Sequence, residues 1–281
     1  MSNTLYRQLF QAYPSTWGNV PEAYHPIFEK NFEEGMGALL TSLYPMGQEL
    51  LIDLALYFGQ FRIPQDLSDC YSAIAASLSK RSIEASVAFG TLNYDCLLEM
   101  ALAYRGIDLT YNLESGPSRR IPVWKLHGSS NFLPDLKVTK VIGATFQGVQ
   151  QFYDGPIRAV GLNDVAKYYA GEPGNRESIP PTMSVHAPGK PSKVSQAVLE
   201  QIRREWASWA PEVETFVVVG ARPILDESHV WDPVIGSRGR VFYVGGASPG
   251  LEDLRRKISG RLHVIGSRFE DSLPRILQVI D

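Results

Sequence analysis

The sequence predicts an α/β protein with a doubly wound, mostly parallel sheet, an N-terminal helical segment and an irregular insertion. Three observations carry that prediction. Apolar residues from Thr4 to about Lys80 recur at helical spacing, short runs of strand length then alternate with helical stretches, and several of those runs end in glycine or small polar residues. Strand and helix in alternation are the pattern of a parallel sheet with helical crossovers, a Rossmann-like layering.

In the N-terminal segment Met36, Leu39, Leu40 and Leu43 follow Glu33-Glu34, and Leu50, Leu51, Leu54 and Phe58 repeat the spacing. Pro21, Pro45 and Pro64 punctuate these helices, and Leu67 to Leu78 forms a further stripe with Ser68 or Asp69 as its cap. Val87 to Leu92 is the first strand-like run. Asn93-Tyr94-Asp95 ends it, and helical spacing resumes from Cys96 to Tyr104. Ile107 to Tyr111 and Ile121 to Leu126 are the next candidate strands, the second ending at His127-Gly128-Ser129-Ser130.

From Phe132 to Pro191 glycine and proline are frequent, with strand-like pieces only at Val138 to Ile142 and Ile157 to Val160. Val194 to Trp209 reads as a helix. Phe216 to Gly220 and Val241 to Gly245 are continuous apolar runs bounded by glycine, the pattern of strands buried on both faces. A helix at Leu251 to Ile258, a strand at Leu262 to Ile265 and a helix at Glu270 to Val279, despite Pro274, complete the chain. The expected division is 1–82 as a helical segment packing on the core, 83–131 with 211–281 as the Rossmann-like core, and 132–210 as an insertion or small subdomain.

The composition of the 281 residues, 44% hydrophobic and 20% charged, is that of an ordinary folded chain. A net charge of −3 supplies no basic footprint, so no nucleic-acid partner is expected. The short basic clusters Lys80-Arg81, Arg119-Arg120, Arg203-Arg204 and Arg255-Arg256-Lys257 read as solvated helix ends or loops. Two cysteines, Cys70 and Cys96, cannot form a four-cysteine zinc site, and no metal is expected. Met1 to Phe10 lacks the features of a secretory signal, and no apolar run nears the roughly 20 residues of a membrane span. With reduced thiols as the plainer state, the expectation is a cytoplasmic protein without membrane contact.

Four strand ends gather polar residues or glycine: Asn93-Tyr94-Asp95, His127-Gly128-Ser129, Gly220-Ala221-Arg222 and Gly245-Gly246-Ala247-Ser248. In a doubly wound sheet the carboxyl ends of the strands line the ligand crevice, where glycine permits close backbone approach.

Thr91-Leu92-Asn93-Tyr94-Asp95 with Leu97-Leu98-Glu99 resembles the T-x-N-Y-D-x-L-L-E signature of sirtuin-like domains, and Lys125-Leu126-His127-Gly128-Ser129 resembles their K-L-H-G-S signature. Val218-Val219-Gly220 with Asp226 is similar to their penultimate strand and turn, and the Asn31-Phe32-Glu33 helix to one they place early. The resemblance runs in order over roughly residues 30 to 270. It points to bacterial sirtuin-like NAD-consuming proteins, antiphage defence effectors among them, rather than to protein deacetylases.

That resemblance implies NAD as substrate or ligand. His127 would be the general base near the nicotinamide ribose, and Asn93 and Asp95 would position the nicotinamide end and the attacking water. Thr91, Gly128, Ser129, Gly220, Gly246, Ala247 and Ser248 would bind the nucleotide, the last four along its adenosine side. A histidine with an ordinary pKa of about 6.5 can exchange a proton near neutral pH. The implied reaction is cleavage of the nicotinamide–ribose bond by an NAD glycohydrolase. The alternative is a catalytically degenerate module that binds a nucleotide, a protein partner or a second copy of itself without turnover.

Plainer roles stay open for each residue. Asn93 and Asp95 are the residue types that form Asx turns and cap helices, and His127 taken alone reads first as a structural histidine. His25, His186, His229 and His263 have no comparable setting, and Asp226-Glu227 reads as a loop. The family's opening strand and Gly-rich G-A-G-x-S turn have no counterpart here, since Gly35-Met36-Gly37 lies in a helical pattern. Such a turn supplies backbone N–H groups to phosphates. Either the natural chain begins upstream of Met1, or the neighbouring strands close the gap and the phosphate cradle is gone, with weak or undetectable NAD affinity and no hydrolysis even with Asn93 and His127 in place; the second is the expectation. His127, at a strand end, is expected outside the packed interior, so that its removal spares folding.

Overall fold

The structure, a computed structural model, describes residues 4–80, 87–111, 120–135, 153–171, 177–185 and 194–280. The chain divides into two compact units. The first comprises Met1–Phe61, Asn93–Cys96 and His127–Glu200, and the second Arg62–Leu92, Leu97–Leu126 and Gln201–Asp281.

The first unit opens with helices α1 (Leu5–Ala12), α2 (Pro14–Trp17), α3 (His25–Lys30), α4 (Phe32–Ser42) and α5 (Tyr44–Phe58). The expected stripes fall on α4 and α5. Asn31 caps α4 by accepting from the amides of Glu33 and Glu34. Trp17, Phe28, Met36, Leu39, Leu50 and Leu54 form its core, joined by Met183 and Val185 from far along the chain. Inside α5, Asp53 is buried and accepts a hydrogen bond from the Thr16 hydroxyl.

The same unit holds a two-stranded antiparallel ribbon, β4 (Phe132–Pro134) with β5 (Ile157–Ala159), and helix α8 (Leu162–Tyr168). Val165 and Tyr169 pack there against Ile52 of α5 and Leu133 of β4. The strand-like piece at Ile157 to Val160 is therefore a strand, while β4 and α8 lie in a stretch whose sequence reads as irregular. The piece at Val138 to Ile142, and His186, lie outside the described residues.

The second unit is α/β with parallel strands, as expected. Its first part runs α6 (Cys70–Leu78), β1 (Phe89–Thr91), α7 (Leu97–Tyr104), β2 (Leu109–Thr110) and β3 (Ile121–Lys125). Its second runs from the end of α9 (Gln196–Trp209) through β6 (Thr215–Val219), α10 (Ser228–Gly236), β7 (Arg240–Val244), α11 (Pro249–Lys257) and β8 (Leu262–Gly266) to α12 (Phe269–Ile280). Asp69 caps α6 through the Ser72 amide, the second of the two expected candidates.

The strands form two parallel three-stranded sheets, ordered β1-β3-β2 and β6-β7-β8. Trp206 of α9 packs on both: its ring centroid lies 5.8 Å from that of Trp124 in β3 and 6.2 Å from that of Phe216 in β6. Among the described residues β1 pairs only with β3 and β6 only with β7. The expected closure of the gap by neighbouring strands is thus not what these residues form. The burial follows. Val241, Tyr243 and Val244 of β7 are buried, whereas Val217, Val218 and Val219 of the end strand β6 are only half-buried. The reading of β6 as buried on both faces needs that correction.

Candidate functional site

Thr91 ends β1 and stands level with Lys125, the last residue of β3. The Leu126 amide donates to the Thr91 carbonyl at 3.1 Å, so the paired strands end together. Asn93 follows one strand by two residues and His127 follows the other by two, and both belong to the first unit.

There the two loops are bonded to each other. The Tyr94 carbonyl accepts from the Ser130 amide at 3.0 Å and from the Ser129 hydroxyl at 3.3 Å. The Ser129 hydroxyl also lies 3.8 Å from the buried Cys96 thiol. A third segment joins them: Ser129 N donates to Thr182 O at 3.0 Å, Ser184 N to His127 O at 2.8 Å, and the Tyr94 hydroxyl to Ser184 O at 2.8 Å. Asn93 is exposed and Asp95 half-buried, and both lie on the same short loop as Tyr94.

His127 is 6% exposed, with Ser129 and Ser130 fully buried beside it. The expectation that it stands outside the packed interior is therefore corrected. The strand end enters a dense set of backbone bonds instead of opening directly to solvent.

Gly128 shows how tight that set is. Its φ is +82°, and a Cβ there would stand 2.0 Å from the Thr182 carbonyl oxygen. Gly128 also forms an antiparallel bridge with Met183. Its missing side chain thus makes room for the chain's own backbone. In the second unit Lys125 is buried, and its ammonium pairs with Glu99 of α7 at 2.7 Å, with the Tyr111 hydroxyl 3.4 Å from the same carboxylate. Burying two charges is tolerated only when they are paired.

The remaining expected nucleotide-binding residues lie in the second unit, at the carboxyl ends of β6 and β7. Gly220 has φ +70° with open space where a Cβ would be, and its amide donates to Val244 O at 2.9 Å. Gly246 and Ala247 are exposed, while Ser248 caps α11 by accepting from the Leu251 amide at 3.2 Å. A Cβ at Gly220 or Gly246 would meet nothing within 4 Å and Ala247 is exposed, whereas Gly128, Ser129 and Ser248 serve internal contacts. Of the histidines set aside, His25 bonds to Val20 O at 2.8 Å and His263 stacks on Phe242 at 5.1 Å.

Two further residues emerge to which the sequence reading gave only plain roles, Arg203 in a solvated basic cluster and Glu227 in a loop. Arg203 is half-buried and its Nε donates to Leu126 O at 3.0 Å, so it is not a solvated helix end like its exposed neighbour Arg204. Glu227 is 5% exposed; burial raises its carboxyl above the usual value, with the Arg203 charge acting in the opposite direction. Neither had a local signal, since both depend on what α9 and the β6–α10 loop meet in the fold. Among the described residues no three His, Cys, Asp or Glu side chains gather to hold a metal ion, and no helix is long and apolar enough to cross a membrane.

No family model matches the chain, and a search of curated proteins finds no match. Among solved structures it is similar to Sir2Tm bound to a propionylated peptide, at 14% identity and a TM-score of 0.44, covering 95% of this chain and 87% of that one.

Proposed function

We propose that this chain is a sirtuin-like NAD-binding protein that cleaves the nicotinamide–ribose bond, with His127 as general base and Asn93 and Asp95 positioning the nicotinamide end and the water. The observation that carries the reading is the bonding of the Asn93–Asp95 loop to the His127–Ser130 loop through the Tyr94 carbonyl. The two stretches that resemble the family's signatures are neighbours in the fold as well as motifs in the sequence.

In the proposed reaction the oxygen of water bonds to the ribose carbon as the bond to nicotinamide breaks. Nicotinamide leaves as a neutral base with the bonding pair, and neutral His127 accepts the proton of the water. In the proposed reading the nucleotide is assigned to Gly220 and Gly246, where a Cβ would meet nothing, and to the exposed Ala247. NAD is a substrate in this reading, and no metal takes part in any step.

A second reading is favoured by a separate observation. β1 and β6 are unpaired along one edge among the described residues, and no Gly-rich turn precedes them. A degenerate module that holds a nucleotide, a protein partner or a second copy without turnover fits those edges. Calorimetric titration of NAD and of ADP-ribose into the purified chain, followed by an assay for released nicotinamide, separates the two. Binding with release supports the hydrolase, binding without release supports the degenerate module, and no binding of either ligand removes NAD from both.

A further inference from the structure

Arg203 and Arg204 are adjacent in sequence and opposite in setting. Arg204 is exposed, while Arg203 lies between the buried Ile202 and, three residues on, the buried Trp206. Trp206 faces Trp124 of β3, and Arg203 reaches the end of the same strand, where its Nε donates to the Leu126 carbonyl at 3.0 Å. That carbonyl is half of a planar peptide group whose other half is the His127 N–H. The preceding peptide is held too, by the Leu126 amide on Thr91 O at 3.1 Å.

Glu227 occupies the N-cap position of α10, is 5% exposed, and feels the Arg203 charge. The Trp206 indole N–H donates to Val230 O at 3.3 Å, so α9 and the start of α10 are also bonded one turn away. A carboxylate this buried needs a cationic partner to stay ionised.

We propose that Arg203 is a positioning residue: it locks the peptide plane that leads into His127. The inference rests on the reading of His127 as the general base, which a planar group turned out of place would misalign.

The test uses the full chain with Arg203→Met, which keeps the apolar stem, and Arg203→Lys, which keeps one donor. Amide hydrogen exchange is followed at Leu126 to Ser130 and, as an internal standard, along β7, together with kcat and KM for nicotinamide release. Arg203→Met raises exchange at Leu126 to Ser130 by about tenfold or more while β7 keeps its protection, and Arg203→Lys falls between. Turnover follows the same order, with kcat down by about tenfold and KM within about twofold. Exchange that rises equally in β7, or not at all, overturns the proposal, as does wild-type kcat in Arg203→Met. If the unaltered chain releases no nicotinamide, the catalytic reading fails by itself. The exchange pattern then still decides, a local rise supporting the brace and a uniform one refuting it.

Discussion

The carbonyl oxygen of Tyr94 accepts the Ser130 amide proton at 3.0 Å, and that bond joins the two loops on which the functional reading depends. Its hydroxyl, on Ser184 O at 2.8 Å, ties in the third segment. Tyr94→Phe leaves the Ser184 carbonyl without this donor, and the expected loss is about 1 kcal/mol of stability. Thermal unfolding measures it. A variant that melts with the wild type would mean that the hydroxyl bond contributes nothing net.

Glycine at two strand ends has two different reasons. At Gly128 the backbone is left-handed and a Cβ would meet Thr182 O at 2.0 Å, while at Gly220 the backbone is left-handed with nothing in the way. Gly220→Ala should therefore cost only the conformational term of about 1–2 kcal/mol. Gly128→Ala should cost clearly more and displace the Thr182 to Ser184 segment. Equal losses in denaturant titrations would show that the close approach at Gly128 is not as described.

The Lys125–Glu99 pair is buried on both sides. Removing one partner strands the other charge, so Lys125→Met alone should destabilise by about 3–5 kcal/mol. Adding Glu99→Leu removes the stranded charge and should recover part of that loss. A double variant no more stable than the single one would count against a direct pairing.

Glu227 gives a pH dependence with a definite sign. Its carboxyl is raised above 4.5 chiefly by burial, against the pull of Arg203. Between the ordinary and the raised value the folded chain holds a proton that the unfolded chain has released. Stability therefore falls as pH rises through that window and is constant in this respect above it. Glu227→Gln cannot titrate, so the stability of the wild type relative to the variant should be greatest in acid and decline across the window. Urea midpoints over a pH series test this, and a difference independent of pH would contradict it.

Much of this was legible wherever local pattern and final environment agree. Met36 with Leu39 and Leu50 with Leu54 mark one face of a helix, and those faces became the core of the first unit. Val241 to Val244 read as a buried strand because β7 has a neighbour on each side. β6 has an equally apolar sequence but lies at a sheet end, and local pattern does not report neighbours. Helix α10 was hidden by Pro233 within it, and β4 is only three residues long and ends in Pro134. At the candidate site the motif residues were visible by type, but their contacts were not. The need for glycine at position 128 is set by Thr182, and the role of Arg203 by Leu126, both distant in sequence.

Nicotinamide release from NAD by the unaltered chain and by His127→Ala, measured side by side on folded protein, is the most direct test of the proposed chemistry. His127 is buried, so equal secondary structure and a cooperative melt in both proteins must accompany the comparison. The expected result is measurable release by the unaltered chain and a loss of about 100-fold or more in the variant, the scale of removing a general base. Equal release by both proteins, or none from the unaltered chain, would contradict the assignment of His127 as the base of an NAD-cleaving site.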